Sequence, residues 1–364
     1  MSWETGKRIV DFLFEEYDKN DPNAFINHTT KALILDFIGG EPLLEAELIG
    51  KISDYFWKTA LMRGHIWANN FRISISSNGT LYFKPEVQQF LNRFKDKISF
   101  SISIDGPQEM HDACRIYPDG RGSWADANAA QIEHHKRFPN YNLETKMTLA
   151  KENLHLLHST FKYFVENGYK TIFGNPVFER DWTPEDGKIY YEQLCQVADY
   201  MIDNNLVDEI ETTFFDDRLF TPKEPTDLGT YCGGAGSMLA FDPDGIAYPC
   251  LRYMESSLNG EQEPLIIGDC WSGIYNTPKT TSIHDMLNAI NRRTSNDDEC
   301  FNCSIATGCA NCIAWDYQHF GTPDKKSKGI CWMHRARCLA NAYFWNKAKG
   351  KGTFKINLPD DLAV

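Results

Sequence analysis

The chain has 364 residues, a formal net charge of −13 and 42% apolar residues. That length suits two domains, or one large domain with an appendage, and the apolar content excludes wholesale disorder. The 50 acidic against 37 basic residues argue against non-specific binding to nucleic acid or anionic membranes, and no run of 18 apolar residues predicts a membrane span.

The first half of the chain alternates strand-like apolar runs with helical periodicity. Its N-terminal segment predicts an amphipathic helix with Ser2 as N-cap; it lacks the uncharged core of a secretory signal, so a cytoplasmic location is expected. Strands are predicted at 33–38, 71–76, 98–104, 143–149 and 169–177, and helices at about 43–63, from Pro85, and at about 123–137, 155–167 and 184–206. This alternation favours parallel βαβ units, in which loops at the carboxyl ends of strands carry function.

The cysteines are concentrated in the second half of the chain. Nine of the eleven fall between Cys232 and Cys338, and residues 300–312 (CFNCSIATGCANC) contain two C-x2-C pairs in tandem. In a reducing compartment such clustering indicates a metal site rather than disulfides. The region also has a predicted hairpin at Asp242–Gly245 but little continuous core, which favours folding around metal. Zinc and iron–sulfur clusters both accept four thiolates, so these pairs leave the metal open.

The cysteine spacing resembles the SPASM domain, in which radical SAM enzymes hold auxiliary [4Fe–4S] clusters. Cys232, Gly245 and Cys250 fit the first part of its pattern, C-x(9–15)-G-x4-C. The second part, C-x2-C-x5-C, is matched by Cys300, Cys303 and Cys309. The next cysteine, Cys312, follows Cys309 after two residues, which is one fewer than in the family. Cys331 is the natural last member.

The resemblance implies two auxiliary clusters. The cluster far from the active site would be held by Cys300, Cys303, Cys309 and Cys331. The nearer cluster would be held by Cys232, Cys250 and Cys312. With three protein ligands, one iron of this cluster could stay open for a substrate thiolate. Alternatively, Cys195, Cys270 or Cys338 could be its fourth ligand.

Three motifs in the first half are similar to radical SAM sequences, in family order. They are FIGGEPLL at 37–44, SISSNG at 74–79 and SISIDGPQEMHDACR at 101–115. The resemblance implies an S-adenosylmethionine (SAM) site made of Gly39, Gly40, Glu41, Pro42, Ser76, Asn78, Ser103, Asp105 and Arg115. Glycines let a backbone approach a ligand, Glu41 would pair with the ammonium group of SAM, and a guanidinium suits its carboxylate.

The implied fold is α/β: a partial (β/α)6 radical SAM barrel lacking its first strand, plus a small Cys-rich SPASM domain. We expect the truncated barrel at 1–183, a bridging helix and linker at 184–228, the SPASM domain at 229–345 and a tail at 346–364. The C-x3-C-x2-C motif that holds the SAM-cleaving cluster is absent from the sequence. We therefore expect the family's first strand and its loop to be missing. Three explanations are open: a gene start placed too late, a trimmed chain, or a genuine loss of catalysis. We favour the first.

The segment from Cys309 to Lys347 resembles radical SAM peptide maturases, of the subgroup associated with Cys-x-x-x-repeat targets. That resemblance implies a thioether crosslink in a ribosomally made precursor peptide, with flavodoxin or ferredoxin as electron donor and no nucleic-acid or membrane partner. One alternative is a peptide-binding scaffold without catalysis. A second is formylglycine formation of the sulfatase-maturase kind, with Asp216 and Asp217 as candidate bases. A third is a zinc protein.

Overall fold

The computed structural model describes residues 1–22, 24–139, 143–221, 223–229, 234 and 238–349. The first helices, α1 to α7, span Trp3–Lys19, Ala46–Met62, Pro85–Phe94, Gln108–Asp112, Trp124–Arg137, Leu157–Glu166 and Pro184–Asp203. The later helices, α8 to α12, span Glu255–Leu258, Pro278–Asn288, Asp298–Phe301, Ile313–Phe320 and Cys331–Lys349. Strands β1 to β6 span Leu33–Phe37, Phe71–Ser77, Ile98–Ile102, Glu144–Leu149, Thr171–Pro176 and Glu211–Thr212.

The strands of the first half form two adjoining parallel sheets. One has the order β1-β2-β3 and the other β4-β5-β6, and every strand pair in them is parallel. The Thr145 hydroxyl on β4 donates to the carbonyl oxygen of Ile104, just after β3, at 2.7 Å. This bond places the start of β4 beside the segment that leaves β3, so the two sheets adjoin there. Within each sheet the strands are parallel, so their carboxyl ends lie at one edge.

The central strands have one apolar and one polar face. Along β2, Phe71, Ile73 and Ile75 are buried in the core under the helices, while Ser76 is exposed on the other face. The Oγ atoms of Ser76 and Ser101, on neighbouring strands, lie 3.0 Å apart. The period-two alternation thus turns a serine-lined face away from the helices.

Helix α12 returns to the first half and packs along α7. Its Met333, Ala336, Ala340 and Phe344 belong to the same buried core as the sheets. Asn341 is fully buried; its amide nitrogen donates to the carbonyl of Phe214 at 2.7 Å, and its oxygen accepts from the Asp216 N–H at 2.7 Å. These bonds satisfy backbone groups that would otherwise be buried without partners, and so fix α12 to the segment after β6.

The second half contains a small antiparallel sheet with its own core. Strands β7 to β10 span Ala240–Phe241, Ile246–Tyr248, Gly268–Asp269 and Gly273–Ile274, in the order β10-β9-β8-β7. The predicted hairpin at Asp242–Gly245 is confirmed: Asp242 Oδ1 accepts the N–H groups of Asp244 and Ile246, and Gly245 has a φ of +86°. A glycine suits that left-handed position.

The five predicted strands and the Ser2 cap are confirmed to within two residues at each boundary. Four expectations were incomplete. The predicted helices at 43–63 and 155–167 each begin with a 3-10 turn, at Pro42–Glu45 and Leu154–Leu156, and continue as α2 and α6. The short strand β6 and the short helix α4 were not predicted. No helix in the described part of the chain is both long and apolar enough to cross a membrane.

Candidate functional site

The corner after β1 is tied to the end of β2 through Glu41. Its Oε1 accepts from the Leu43 N–H at 3.0 Å and from the Ser77 hydroxyl at 2.9 Å, and its Oε2 accepts from the Asn78 N–H at 2.8 Å. One carboxylate therefore caps the 3-10 turn that starts at Pro42 and also holds the next loop. Because the carboxylate accepts three hydrogen bonds from within the protein, it holds the corner after β1 against the end of β2.

The glycines of that corner face open space. A Cβ added to Gly39 or Gly40 would meet no atom within 4 Å, and both residues are exposed. The backbone is therefore accessible to a ligand, and any side chain here would project into the room that such a ligand needs.

Two further predicted residues are engaged locally at the ends of β2 and β3. The Asn78 side-chain oxygen accepts from the N–H of Thr80 at 3.0 Å and from its hydroxyl at 2.8 Å, which forms an Asx-type turn. The Ser103 N–H donates to the carbonyl of Ser77 at 2.8 Å, so the ends of β2 and β3 lie side by side. Ser76 lies on the polar face beside Ser101, a residue that the sequence reasoning missed.

Asp105 and Arg115 form an ion pair at the third strand end. Arg115 Nε lies 2.5 Å from Asp105 Oδ2, and a terminal nitrogen of Arg115 lies 3.4 Å from Oδ1. The Asp105 residue is buried, whereas the Arg115 side chain is about one-third exposed. Asp105 is therefore placed to orient the guanidinium, which keeps donors available for an outside carboxylate.

A buried histidine, which the sequence reasoning did not single out, supports this pair. His111 is fully buried; its Nδ1 accepts from the Asp105 N–H at 3.4 Å, so the proton lies on Nε2. Nε2 lies 3.0 Å from Ser123 Oγ, and that hydroxyl donates to the carbonyl of Arg115 at 2.9 Å. The chain of bonds fixes the backbone at both members of the ion pair.

In the second half, four cysteines line one cavity of about 440 Å³: Cys300, Cys303, Cys309 and Cys331. They are the four that the resemblance assigned to one cluster. Cys300 lies in α10, Cys303 and Cys309 lie in the loop between α10 and α11, and Cys331 begins α12, so the cavity joins two helices and a loop. Its volume leaves room for a group of several atoms between the thiols.

The chemistry of this cavity suits a thiolate-bound metal cluster. Burial, and next the carboxylate of Asp297, raise the pKa of Cys300 to about 12, so a thiolate there requires compensating positive charge. One such charge is Lys326, whose Nζ lies 3.2 Å from Cys309 Sγ. Burial lowers the pKa of Lys326, but the sulfur of Cys309 raises it and the net change is upward. Within the described residues, no three His, Cys, Asp or Glu side chains are grouped to hold a single ion.

Two cysteines of the second predicted set lie in a different place. Cys250 is buried in the core of the small sheet, and Cys312 packs against that same core at the start of α11. Cys309 and Cys312, only three positions apart, thus contact different surroundings. Cys232, the third member, falls outside the described residues.

The three candidates for a fourth ligand are dispersed. Cys195 lies on α7, where it interacts with Tyr191. Cys270 is buried in the main core, and a Cβ added at Gly245 would come within 2.4 Å of its sulfur. Cys338 packs with Leu219 and Cys303 behind the four-cysteine cavity.

The two candidate bases have protein partners. Asp216 caps a short 3-10 turn and accepts from Arg218 N–H at 3.0 Å and Nε at 2.9 Å. Its hydrogen bonds with Arg218 lower the pKa of Asp216, which makes it a weaker base. Asp217 Oδ2 lies 3.8 Å from Lys349 Nζ near the surface. Asp216 also lines the four-cysteine cavity, whereas Asp217 faces a lysine near the surface.

Comparison with known proteins identifies similar sequences. No family model matches the chain. Radical SAM cyclopropyl synthase TigE of Paramaledivibacter caminithermalis is 20% identical over 343 residues, covering 89% of this chain and 66% of that protein. An uncharacterized protein of Methanocaldococcus jannaschii is 27% identical over 175 residues, covering 47% of this chain and 51% of that protein. The chain thus spans between half and two thirds of the length of these curated relatives.

Solved structures of anSMEcpe match the whole architecture. The structure with bound AdoMet (SAM) has a TM-score of 0.67 at 18% identity, covering 100% of this chain and 88% of that one. A second, with bound AdoMet and Kp18Cys peptide, has a TM-score of 0.61 at 18% identity, covering 96% and 89%. The chain has the fold of a radical SAM enzyme. The predicted α/β fold with parallel sheets is confirmed.

The buried His111 predicts an acid sensitivity. Burial lowers the pKa of His111 in the folded chain below its ordinary value of 6.5. Below that value the unfolded chain takes up a proton that the folded chain does not, so the free energy of unfolding should fall as pH falls. Chemical denaturation at about pH 7.5 and about pH 5.5 should show a smaller loss in His111→Asn than in the wild type.

The exposed His155 provides the matched control for this measurement. His155→Asn should lose as much stability between the two pH values as the wild type does. Equal losses in all three proteins would contradict a neutral, buried His111.

Proposed function

We propose that this chain belongs to a SAM-dependent radical enzyme that modifies a ribosomally made peptide. The observation that carries the proposal is the gathering of Cys300, Cys303, Cys309 and Cys331 around one cavity, in a chain whose strand ends present the GGEP corner. Similarity to a radical SAM cyclopropyl synthase over 89% of the chain supports the reaction class.

The proposed SAM site lies at the carboxyl ends of β1 to β3. The open backbone at Gly39 and Gly40 would approach the methionine end of SAM, next to the Glu41 carboxylate. The guanidinium of Arg115, oriented by Asp105, would bind its carboxylate. Pro42, with its fixed φ, starts the turn that holds the corner in place.

The proposed auxiliary [4Fe–4S] clusters follow the two groups of cysteines. Cys300, Cys303, Cys309 and Cys331 would hold one cluster, and Cys250 and Cys312, with Cys232, would hold the other. Bound SAM, with a reduced cluster on a C-x3-C-x2-C motif, supplies a radical that removes a hydrogen atom from the substrate. These 364 residues do not contain that motif. The step that generates the radical therefore needs cysteine ligands for the SAM-cleaving cluster that these residues do not supply.

We further propose that the product is a thioether, formed between a cysteine sulfur and a carbon of the same precursor peptide. Forming that bond removes one hydrogen atom from carbon and one from sulfur. The SAM-derived radical would take the hydrogen atom from carbon. The hydrogen on sulfur would leave as a proton to solvent and an electron to an auxiliary cluster. A flavodoxin or ferredoxin would be the external electron donor.

The metal assignment is tested by iron content. After anaerobic reconstitution, the wild-type protein should be brown and contain iron and sulfide. Cys300→Ser with Cys309→Ser should lose about half of that iron, because thiolates of both C-x2-C pairs are needed at the cavity. Cys114→Ser, at an exposed cysteine outside both groups, should keep all of it. A protein that retains zinc and no iron would contradict the cluster assignment.

The SAM site is tested by Glu41→Gln. The amide keeps one acceptor oxygen, so its N–H₂ group must face either the Asn78 N–H or the donors of Leu43 and Ser77. The corner should therefore shift, and the negative charge is lost. We expect SAM to bind at least about tenfold more weakly by isothermal titration calorimetry, equivalent to about 1.4 kcal/mol. Glu45→Gln, an exposed acid in the same turn, should bind SAM as the wild type does. Unchanged affinity in Glu41→Gln would overturn the assignment.

The bond type is tested on a cysteine-containing precursor peptide, incubated with SAM, dithionite and a reconstituted form of the enzyme that carries the C-x3-C-x2-C motif. A thioether predicts the loss of two hydrogens by mass spectrometry together with the loss of one iodoacetamide-reactive thiol. Loss of two hydrogens with every thiol still reactive would indicate a carbon–carbon bond instead. Binding of the peptide without any mass change would favour the scaffold alternative.

A further inference from the structure

A lysine points into the four-cysteine cavity. Lys326 lines that cavity, and its Nζ lies 3.2 Å from the sulfur of Cys309, which is hydrogen-bond distance for sulfur. The residue is half-buried, so its charge is only partly screened by solvent. Placing an ammonium among thiols costs desolvation, which a bound anionic group would offset.

The backbone beside Lys326 is held from within the core. Asp316 on α11 is fully buried, and its Oδ1 accepts from the N–H of Ser327 at 2.8 Å. Because α11 starts directly after Cys312, this bond connects the lysine loop to the cysteine-bearing segment. The position of Lys326 therefore follows from a buried anchor rather than from a surface contact.

The neighbouring lysines of the same loop have other partners. Lys325 Nζ lies 4.3 Å from the centre of the Phe320 ring. Lys328 Nζ lies 2.8 Å from Asp297 Oδ2 and also pairs with Glu299. Lys328 also lines the cavity, but its ion pairs go to those two carboxylates, so the hydrogen bond to the Cys309 sulfur comes from Lys326.

We propose that Lys326 tunes the reduction potential of the cluster held by Cys300, Cys303, Cys309 and Cys331. This inference rests on the proposed assignment of those four ligands. Hydrogen bonds to ligand sulfur and the net charge around a cluster set its potential. Reduction adds a negative charge, so an ammonium that donates to the Cys309 sulfur stabilises the reduced form and raises the potential. Lys326 acts through Cys309, as a positioning residue that need not contact substrate.

The experiment compares midpoint potentials in reconstituted protein, titrated anaerobically with dithionite and followed by electron paramagnetic resonance. A Cys250→Ser, Cys312→Ser background removes the second proposed cluster, so the signal belongs to the cavity. Four variants are measured in it: Lys326→Met, Lys326→Gln, Lys326→Arg and the control Lys325→Met. Iron and sulfide are quantified for each.

We expect Lys326→Met to lower the ratio of reduced to oxidised cluster at least tenfold at a fixed potential, about 59 mV for a one-electron couple. Lys326→Gln, which keeps a donor but no charge, should fall between it and the wild type. Lys326→Arg and Lys325→Met should stay close to the wild type.

Each failure has a distinct signature. Equal potentials in Lys325→Met and Lys326→Gln, at equal iron content, would overturn the role of Lys326, even if Lys326→Met does not assemble a cluster. Absence of iron from the background protein itself would overturn the cluster assignment on which the inference rests.

Discussion

Three hydrogen bonds converge on the carboxylate of Glu41, and the whole proposed SAM site depends on them. Two of the donors, Ser77 and Asn78, belong to the next strand and its loop, while the third, Leu43, belongs to the corner itself. The carboxylate therefore makes two strand ends into one unit. Beyond the β1–β2 pairing, which ends at Phe37 and Ile75, it is this carboxylate that holds the glycine corner beside the end of β2.

The third strand end follows the same logic with a different pair. Asp105 is paired with Arg115 and supported from behind by His111, much as Glu41 is occupied by its donors. In both places the acidic residue holds other parts of the protein in position. The groups that remain accessible to a ligand are the backbone at Gly39 and Gly40 and the exposed edge of the Arg115 guanidinium. A motif residue can therefore be essential to a site by holding the groups that contact the ligand.

The sequence predicted the alternation of strands and helices well, because strand length, glycine and proline positions and periodicity all agreed. It missed β6, since two residues carry no periodicity, and it missed His111, since one buried histidine leaves no pattern. The division of the cysteines came from family spacing; spacing alone would not separate Cys309 from Cys312, which point into different surroundings. The sequence could not single out Lys326, because it stands close to Lys325 and Lys328. Only the fold shows that Lys326 contacts the sulfur of Cys309.

Helix α12 connects the two halves in a way that has thermodynamic consequences. It begins at Cys331, in the four-cysteine cavity, and continues to Asn341, which satisfies backbone groups beside the barrel, and to Phe344 in the main core. A ligand bound at Cys331 is therefore connected through a single helix to the core that packs beneath the parallel sheets. Because the binding free energy of a group that only the folded chain holds contributes to folding free energy, the proposed cluster would stabilise the packing of α12 on the sheets, and forms with and without it would differ in the cooperativity of unfolding.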